Sequence, residues 1–104
     1  DLKILPMLSC LVALAIHETI SFYINSTNKI KIKWPNDLLI NNAKISGVLI
    51  ENVLSGKKKY SIIGIGINVV SSPQLVDYET SYINQYLSDK IDVSRVFLNL
   101  KEIL

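Results

Sequence analysis

Apolar and polar positions change period along the chain, and each change marks an element. From Pro6 to Tyr23, Leu8, Leu11, Val12, Ala15, Ile16 and Thr19 recur at three- and four-residue spacing, which predicts a helix with a buried stripe. Pro6 suits its first turn, where a missing N–H costs nothing. Leu14 and Ile20 lie beside that stripe, so the helix is expected to be buried on more than one side. The polar cluster Asn25-Ser26-Thr27-Asn28 ends it. The period then drops to two. Lys29-Ile30-Lys31-Ile32-Lys33-Trp34 alternates charged and apolar side chains, as a strand with one wet face does, and Pro35 stops it. Asp37–Ile40 predicts a second strand. Asn41-Asn42 predicts a hairpin turn, because asparagine tolerates positive φ. Lys44–Val53 predicts a third strand, Ser55–Lys59 an exposed turn, and Tyr60–Val70 a fourth strand. The fourth is almost free of charge and is expected at the centre of the sheet. Residues 71–92 read as loop with short helical turns. Asp92-Val93-Ser94 offers N-caps for a final helix, Arg95–Leu104, with Val96, Leu100 and Ile103 on one stripe. The order is helix, four strands, loop, helix. That order predicts an α+β fold with a mixed, mainly antiparallel sheet covered by helices on one face.

Composition narrows the function classes. The 104 residues allow one domain or less. A content of 49% hydrophobic and 19% charged residues argues against intrinsic disorder. A net charge of +2 is too small to mark a nucleic-acid binder by itself. The single Cys10 excludes an internal disulfide and a cysteine zinc site, and the single His17 excludes a multi-histidine metal site. The apolar run Ile4–Ile16 falls short of the roughly 20 residues a membrane span needs and lacks a basic n-region before it. A buried helix and, by default, a cytoplasmic protein are expected. The chain begins at Asp1 rather than Met and ends in a segment that reads as a helix still running, so it is expected to be part of something longer.

Three stretches carry side chains with chemical capacity. Lys33-Trp34-Pro35-Asn36-Asp37 leaves a strand with a cation, an amide and a carboxylate in one corner. Such groups can neutralise phosphate or position a ribose, a metal-bound phosphate or an amine; a plain turn with a packed Trp34 and a solvated Lys33 is the blander reading. Lys44-Ile45-Ser46-Gly47-Val48-Leu49-Ile50-Glu51 returns from the hairpin and is expected to bring Lys44 to face Asn36 and Asp37. Gly47 removes a side chain where something approaches the backbone, although a surface lysine and a bulge glycine would look the same. Gly64-Ile65-Gly66-Ile67-Asn68 puts two glycines into an apolar strand, which a flat ligand or a neighbouring backbone would explain. It is no dinucleotide fingerprint, since Val69 stands where the third glycine belongs. Lys57-Lys58-Lys59 reads as a solvated hairpin tip that discourages edge pairing, or as a docking patch for an acidic partner. His17 and Cys10 have no evident activating partner.

These motifs, in this order and spacing, resemble the central catalytic domain of biotin protein ligases, part of the class II synthetase-like biotin/lipoate ligase fold. Lys33 to Asp37 resembles that family's Lys-Trp-Pro-Asn-Asp motif, Lys44 to Glu51 its Lys-x-x-Gly-x-Leu-x-Glu motif, and Gly64 to Val69 its Gly-x-Gly-x-Asn-Val motif. Glu79-Thr80-Ser81-Tyr82 resembles its Ala-Thr-Ser-Leu stretch loosely. The resemblance covers essentially all of residues 1–104. It implies activation of biotin by ATP, with Mg2+, to biotinyl-adenylate, and transfer to a lysine of a carboxylase's biotin carrier domain. By resemblance Lys44 contacts the biotin carboxylate and the α-phosphate. Asp37 helps place the adenylate or accepts a proton from the incoming lysine. Gly47, Gly64 and Gly66 let biotin lie on the sheet, while Lys33, Asn36 and Asn68 serve ATP and the metal's shell, with no protein cage for the metal itself. Trp34 is expected to pack rather than stack.

The family's Gly-Arg-Gly-Arg-x-Gly loop and the upstream strand residues that bind the biotin ureido ring are not in these residues. Neither is the small β-barrel that usually follows, nor a DNA-binding helix-turn-helix. The chain is therefore expected to be part of a catalytic domain, with little or no ligase activity alone. Small-molecule ligands, a carrier-domain partner, no membrane, no nucleic acid and a possible homodimer complete the expectation. A lipoate–protein ligase shares the fold and the adenylation logic, and a non-catalytic module pairing through a free sheet edge is the alternative of another class.

Overall fold

The computed structural model describes residues 4–25, 27–75 and 77–104. Helix α1 (Ile4–Tyr23) is followed by strands β1 (Ile30–Lys33), β2 (Asp37–Ile40), β3 (Ala43–Ser55) and β4 (Lys58–Ile67), a short 3-10 turn (Ile83–Tyr86) and helix α2 (Val93–Ile103). The strands form one sheet in the order β1-β2-β3-β4, every neighbouring pair antiparallel. The α+β reading holds, with one parallel contact added by the isolated bridge between Lys44 and Thr80.

Of the three connections between paired strands, β1–β2 runs through Trp34-Pro35-Asn36; the other two turns are two residues long, and each uses the positive φ that such loops demand. Asn41 and Asn42 lie at φ 49° and 68° between Ile40 and Ala43, which pair. Gly56 lies at φ 64° beside Lys57, between the paired Ser55 and Lys58. The second turn is tighter than the five residues expected, and Lys58 and Lys59 belong to β4.

The period-two pattern divides the sheet into an apolar and an open face. Ile30 and Ile32 of β1, Leu38 and Ile40 of β2, Val48 and Ile50 of β3, and Ile63, Ile65 and Ile67 of β4 share the covered face. Helix α1 lies against it with Val12, Ala13, Ile16 and Ile20 buried. Ile16, Ile20, Leu38, Ile40 and Ile45 are fully buried, and a buried side chain of that size stabilises by about 1.5–3 kcal/mol. By length and composition α1 is apolar enough to cross a bilayer, but its buried stripe is turned onto the sheet.

Two expectations are corrected here. Helix α1 is buried on one side only: Met7, Leu11 and Leu14 are more than half exposed. Strand β4 is not central. It is one of the two edge strands, with β1 at the other edge, and the half nearer the turn is exposed on both faces. Its lack of charge comes from isoleucines facing α2 on one side and glycines on the other.

Asp92 caps α2, its Oδ1 accepting from Arg95 N at 2.9 Å. Buried Asn84 ties the 3-10 turn to the chain before α2, exchanging hydrogen bonds of 2.8 and 3.0 Å with Ile91 O and N. Lys90 Nζ donates to the Asn84 and Leu87 carbonyls, satisfying acceptors that the end of a short helix leaves open.

Candidate active site

The open face of the sheet collects the residues singled out in the sequence. Asp37 of β2, Gly47 of β3 and Gly66 of β4 pair in one row across three strands, and Leu49 and Gly64 pair two positions further along β3 and β4. Residues directly opposite on paired strands share a face, so the three glycines form a floor without side chains beside Asp37. Lys31 and Lys33 of β1 lie on this same face, since Lys33 pairs with Asp37 and Lys31 with Leu39.

Lys44 joins this face because of a β-bulge. Leu38 pairs with Ser46 but Leu39 pairs with Lys44, so Ile45 is an extra residue on β3. Strict alternation would set Lys44 and Gly47, three residues apart, on opposite faces. The extra residue cancels that, and bulges are known to re-aim side chains in this way. A Cβ placed on Gly47 would lie 3.4 Å from both Cε and Nζ of Lys44 and 3.5 Å from Asp37 Oδ1. A methyl there would fill the space between the lysine tip and the carboxylate at ordinary contact distance, so glycine keeps that space open for a ligand. At Gly66 and Gly64 a Cβ would meet nothing closer than backbone carbonyls at 3.9 and 3.5 Å. Their missing side chains leave open space above the sheet rather than relieving backbone strain.

Lys44 Nζ stands 3.4 Å from Asp37 Oδ1 and 5.4 Å from the centre of the Tyr78 ring. Both charged side chains are about one-third exposed, so the ion pair itself contributes about 0–1 kcal/mol and its ammonium can change partners. The chain after β4 returns to clasp Lys44. Lys44 N donates to Glu79 O at 2.9 Å and Ser81 N to Lys44 O at 2.8 Å. Asn68 N donates to Ile45 O at 2.9 Å, and its side-chain Nδ2 to Ser81 O at 3.1 Å. Asn68 Oδ1 accepts no hydrogen bond among the described residues.

Two adjoining cavities meet at Lys44, Gly47 and Gly66. One, of about 220 Å³, is walled by Asn68, Pro73, Leu75, Tyr78 and Thr80. The other, of about 440 Å³, runs over Asn36, Asp37, Leu49 and Gly64. The fold thus brings together Asn36, Asp37, Lys44, Gly47, Gly64, Gly66 and Asn68. Val48 N donates to Asn36 O at 2.9 Å, which holds the corner before β2 against β3. Lys33 is exposed and lines neither cavity. Trp34 does not pack as expected: it precedes a cis Pro35 and is 62% exposed. His17 pairs weakly with Ser21, 3.3 Å away, and lies in another part of the fold. Tyr78 was not foreseen, and Thr80 was marked only through the loose resemblance of Glu79–Tyr82. Nothing in their spacing marks them, because a bridge joining positions 44 and 80 places them here.

Chemically, the site offers one mobile cation over an uncluttered surface, a carboxylate beside it, and amide groups at either end. It suits a ligand with a flat or extended apolar part and an anionic end. Among the described residues no group of three His, Cys, Asp or Glu could cage a metal. Oxygen donors such as Asn68 Oδ1 instead suit an ion that arrives with phosphates and water, as Mg2+ does.

A sequence model of the family described as "Biotin/lipoate A/B protein ligase family" matches residues 1–68. The chain is 32% identical over 108 residues to Biotin--protein ligase 2 of Arabidopsis thaliana, covering 100% of this chain and 31% of that protein. It is 36% identical over 67 residues to a Biotin--[acetyl-CoA-carboxylase] ligase of Paracoccus denitrificans, covering 64% of this chain and 28% of that protein. The fold superposes on the biotin protein ligase from Aquifex aeolicus in complex with biotin and ATP with a TM-score of 0.74 at 32% identity, covering 95% of this chain and 41% of that one. The chain spans less than a third of the length of the two curated relatives.

Proposed function

Since the chain belongs to the biotin/lipoate A/B protein ligase family, we propose that it forms the central part of the catalytic domain of a biotin–protein ligase. The observation that carries this reading is the ammonium of Lys44, held 3.4 Å from Asp37 over the glycine floor where two cavities meet. Biotin lies across Gly47, Gly64 and Gly66 with its carboxylate at Lys44. A carboxylate oxygen attacks the α-phosphorus of ATP, the bond to the β-phosphate oxygen breaks, and pyrophosphate leaves. Negative charge builds between carboxylate and α-phosphate, and a fixed cation there lowers the barrier by electrostatic stabilisation. Asn36 and Asn68 serve the nucleotide, and Lys33, on the same face but outside both cavities, serves phosphates that extend beyond them. Asn68 Oδ1 would help hold Mg2+, which would supply charge to neutralise the phosphates. In the second step the lysine amine of a carboxylase's biotin carrier domain attacks the acyl carbon and AMP departs. Asp37, once Lys44 has turned to the ligand, is the carboxylate nearest the reacting groups and can place the adenylate or take the amine's proton.

The test is biotin-dependent ATP–pyrophosphate exchange by the full-length protein. Lys44→Ala is expected to lower the exchange rate by about 100- to 1,000-fold, the loss typical of removing one such electrostatic group, with the fold intact by circular dichroism. Exchange at the wild-type rate would sink the assignment. Titration calorimetry with biotin and with lipoate separates the two branches of the family, and binding of lipoate alone would move the protein to the other. Residues 1–104 expressed alone are expected to show little or no exchange.

A further inference from the structure

We infer that Tyr78 is a positioning residue for Lys44, its ring holding the ammonium over the glycine floor until the ligand's carboxylate takes it. The inference rests on the ligase reading for its catalytic consequence, but its geometry is independent of that reading. Lys44 has a long, flexible side chain, and its only charged neighbour among the described residues is Asp37, at 3.4 Å on one side. The Tyr78 ring lies on another, with its centre 5.4 Å from Nζ, within the range at which an aromatic face attracts a cation. The ring is about half exposed and closes no core of its own. Its placement is nonetheless fixed. The residue after it, Glu79, accepts from Lys44 N, and Ser81 N donates to Lys44 O. The segment bearing the ring is therefore bonded to the backbone of the residue whose side chain the ring faces. Any shift of β3 at the bulge would carry ring and ammonium together.

The arrangement fits a cation that must be ordered yet exchangeable. A second carboxylate would hold Lys44 more tightly but would repel the incoming anion. A ring face orders the ammonium without adding negative charge, and wide placement errors at a reacting centre are costly in rate. The same ring walls the smaller cavity with Leu75, Pro73 and Thr80, so a direct contact with the ligand is the competing role.

Three variants of the full-length protein separate these roles: Tyr78→Leu, Tyr78→Phe and Lys44→Ala, with the double variant Tyr78→Leu/Lys44→Ala. In the ligand-free protein, NMR of the Lys44 side chain should show its Hε signals shifted upfield by the ring. The shift should survive in Tyr78→Phe and vanish in Tyr78→Leu. In pyrophosphate exchange, Tyr78→Leu should lower kcat/KM for biotin on the order of tenfold, within the range of a partly desolvated cation–π contact, and Tyr78→Phe should restore most of it. In the Lys44→Ala background Tyr78→Leu should cost nothing further, because coupled residues are non-additive. An unshifted Lys44 signal, or an equal loss with and without Lys44, overturns the inference, the latter in favour of direct ligand contact. Wild-type exchange by Lys44→Ala would overturn the ligase reading and the catalytic role together. The NMR arm would still report whether the ring holds the ammonium.

Discussion

Ser46 is 3% exposed, and its hydroxyl has no hydrogen-bond partner among the described residues. A buried polar group left unpaired costs about 1–3 kcal/mol, so Ser46→Ala is expected to raise stability by about 1 kcal/mol in urea denaturation. An equal or lower midpoint would show that the hydroxyl has a partner. Gly47 makes the opposite case. Its backbone is not in the left-handed region, so Gly47→Ala should leave stability nearly unchanged. The new methyl would touch the Lys44 tip at an ordinary contact distance of 3.4 Å and stand up from the floor on which biotin is proposed to lie. Exchange activity should fall about tenfold, the scale of a displaced substrate, while the unfolding midpoint holds. The role of such residues was partly legible in the sequence: a lysine and three glycines in apolar strands called for an explanation. Trp34 was expected to pack because a large aromatic side chain is costly to leave in water, and only the folded corner shows that it stays 62% exposed among the described residues.

At the scale of elements, turns and caps were the most readable parts. Asn41 and Asn42 both occupy positive φ, but they do different work. The Asn41 side chain accepts from Lys29 N at 3.1 Å and donates to Asn28 Oδ1 at 3.1 Å, closing the chain onto the start of β1. Asn42 supplies conformation alone. Asn42→Gly should therefore be neutral or stabilising, Asn42→Val should cost about 1–2 kcal/mol, and Asn41→Gly should cost about 1 kcal/mol through its lost hydrogen bonds. Thermal unfolding of the three variants checks the order; equal effects of glycine at both positions would show that the Asn41 bonds contribute nothing. Removal of the α2 cap by Asp92→Ala should cost about 1 kcal/mol. The position of β4 was not readable. A run of uncharged residues signals burial, and glycine adds to that signal while burying nothing. The bulge at Ile45 was equally hidden, because local sequence gives the alternation and only pairing with β2 shows where it slips.

The whole molecule is elongated, 50 × 31 × 22 Å with a radius of gyration of 14.7 Å, against about 13 Å for a compact chain of this length. The excess comes from the far half of the β3–β4 hairpin, which leaves the core as a two-stranded ribbon. Leu54 and Tyr60 are each at least half exposed on it. Two strands without a third are marginal in water. Amide hydrogens from residues 52 to 61 should exchange orders of magnitude faster than those of Leu38, Ile40 and Ile45. Protection of the ribbon comparable to β2, in these residues alone, would contradict the description. In contrast, the contiguous core under β1–β3 follows from the alternation that the sequence displays, and this part of the fold was legible from the start.

The bulge also bears on how insertions and deletions are tolerated. Lysine and glycine at positions 44 and 47 have an odd separation, and an odd separation can share a face only if one residue between them is uncounted by the neighbouring strand. Deleting Ile45 would restore regular counting, and because an even separation shares a face, it would leave Lys44 and Gly47 on the same side. Deleting a residue at the Gly56-Lys57 tip would disturb only the ribbon. A single-codon deletion scan should therefore find that loss of Ile45, which is fully buried, costs stability through the core while Lys44 keeps its face, whereas loss of Val48 sets lysine or floor out of step with the neighbouring strands. The same reasoning says how an alignment gap is to be read: between the lysine and the glycine of this motif, a one-residue gap opposite Ile45 marks a relative without the bulge, in which both side chains still share the working face.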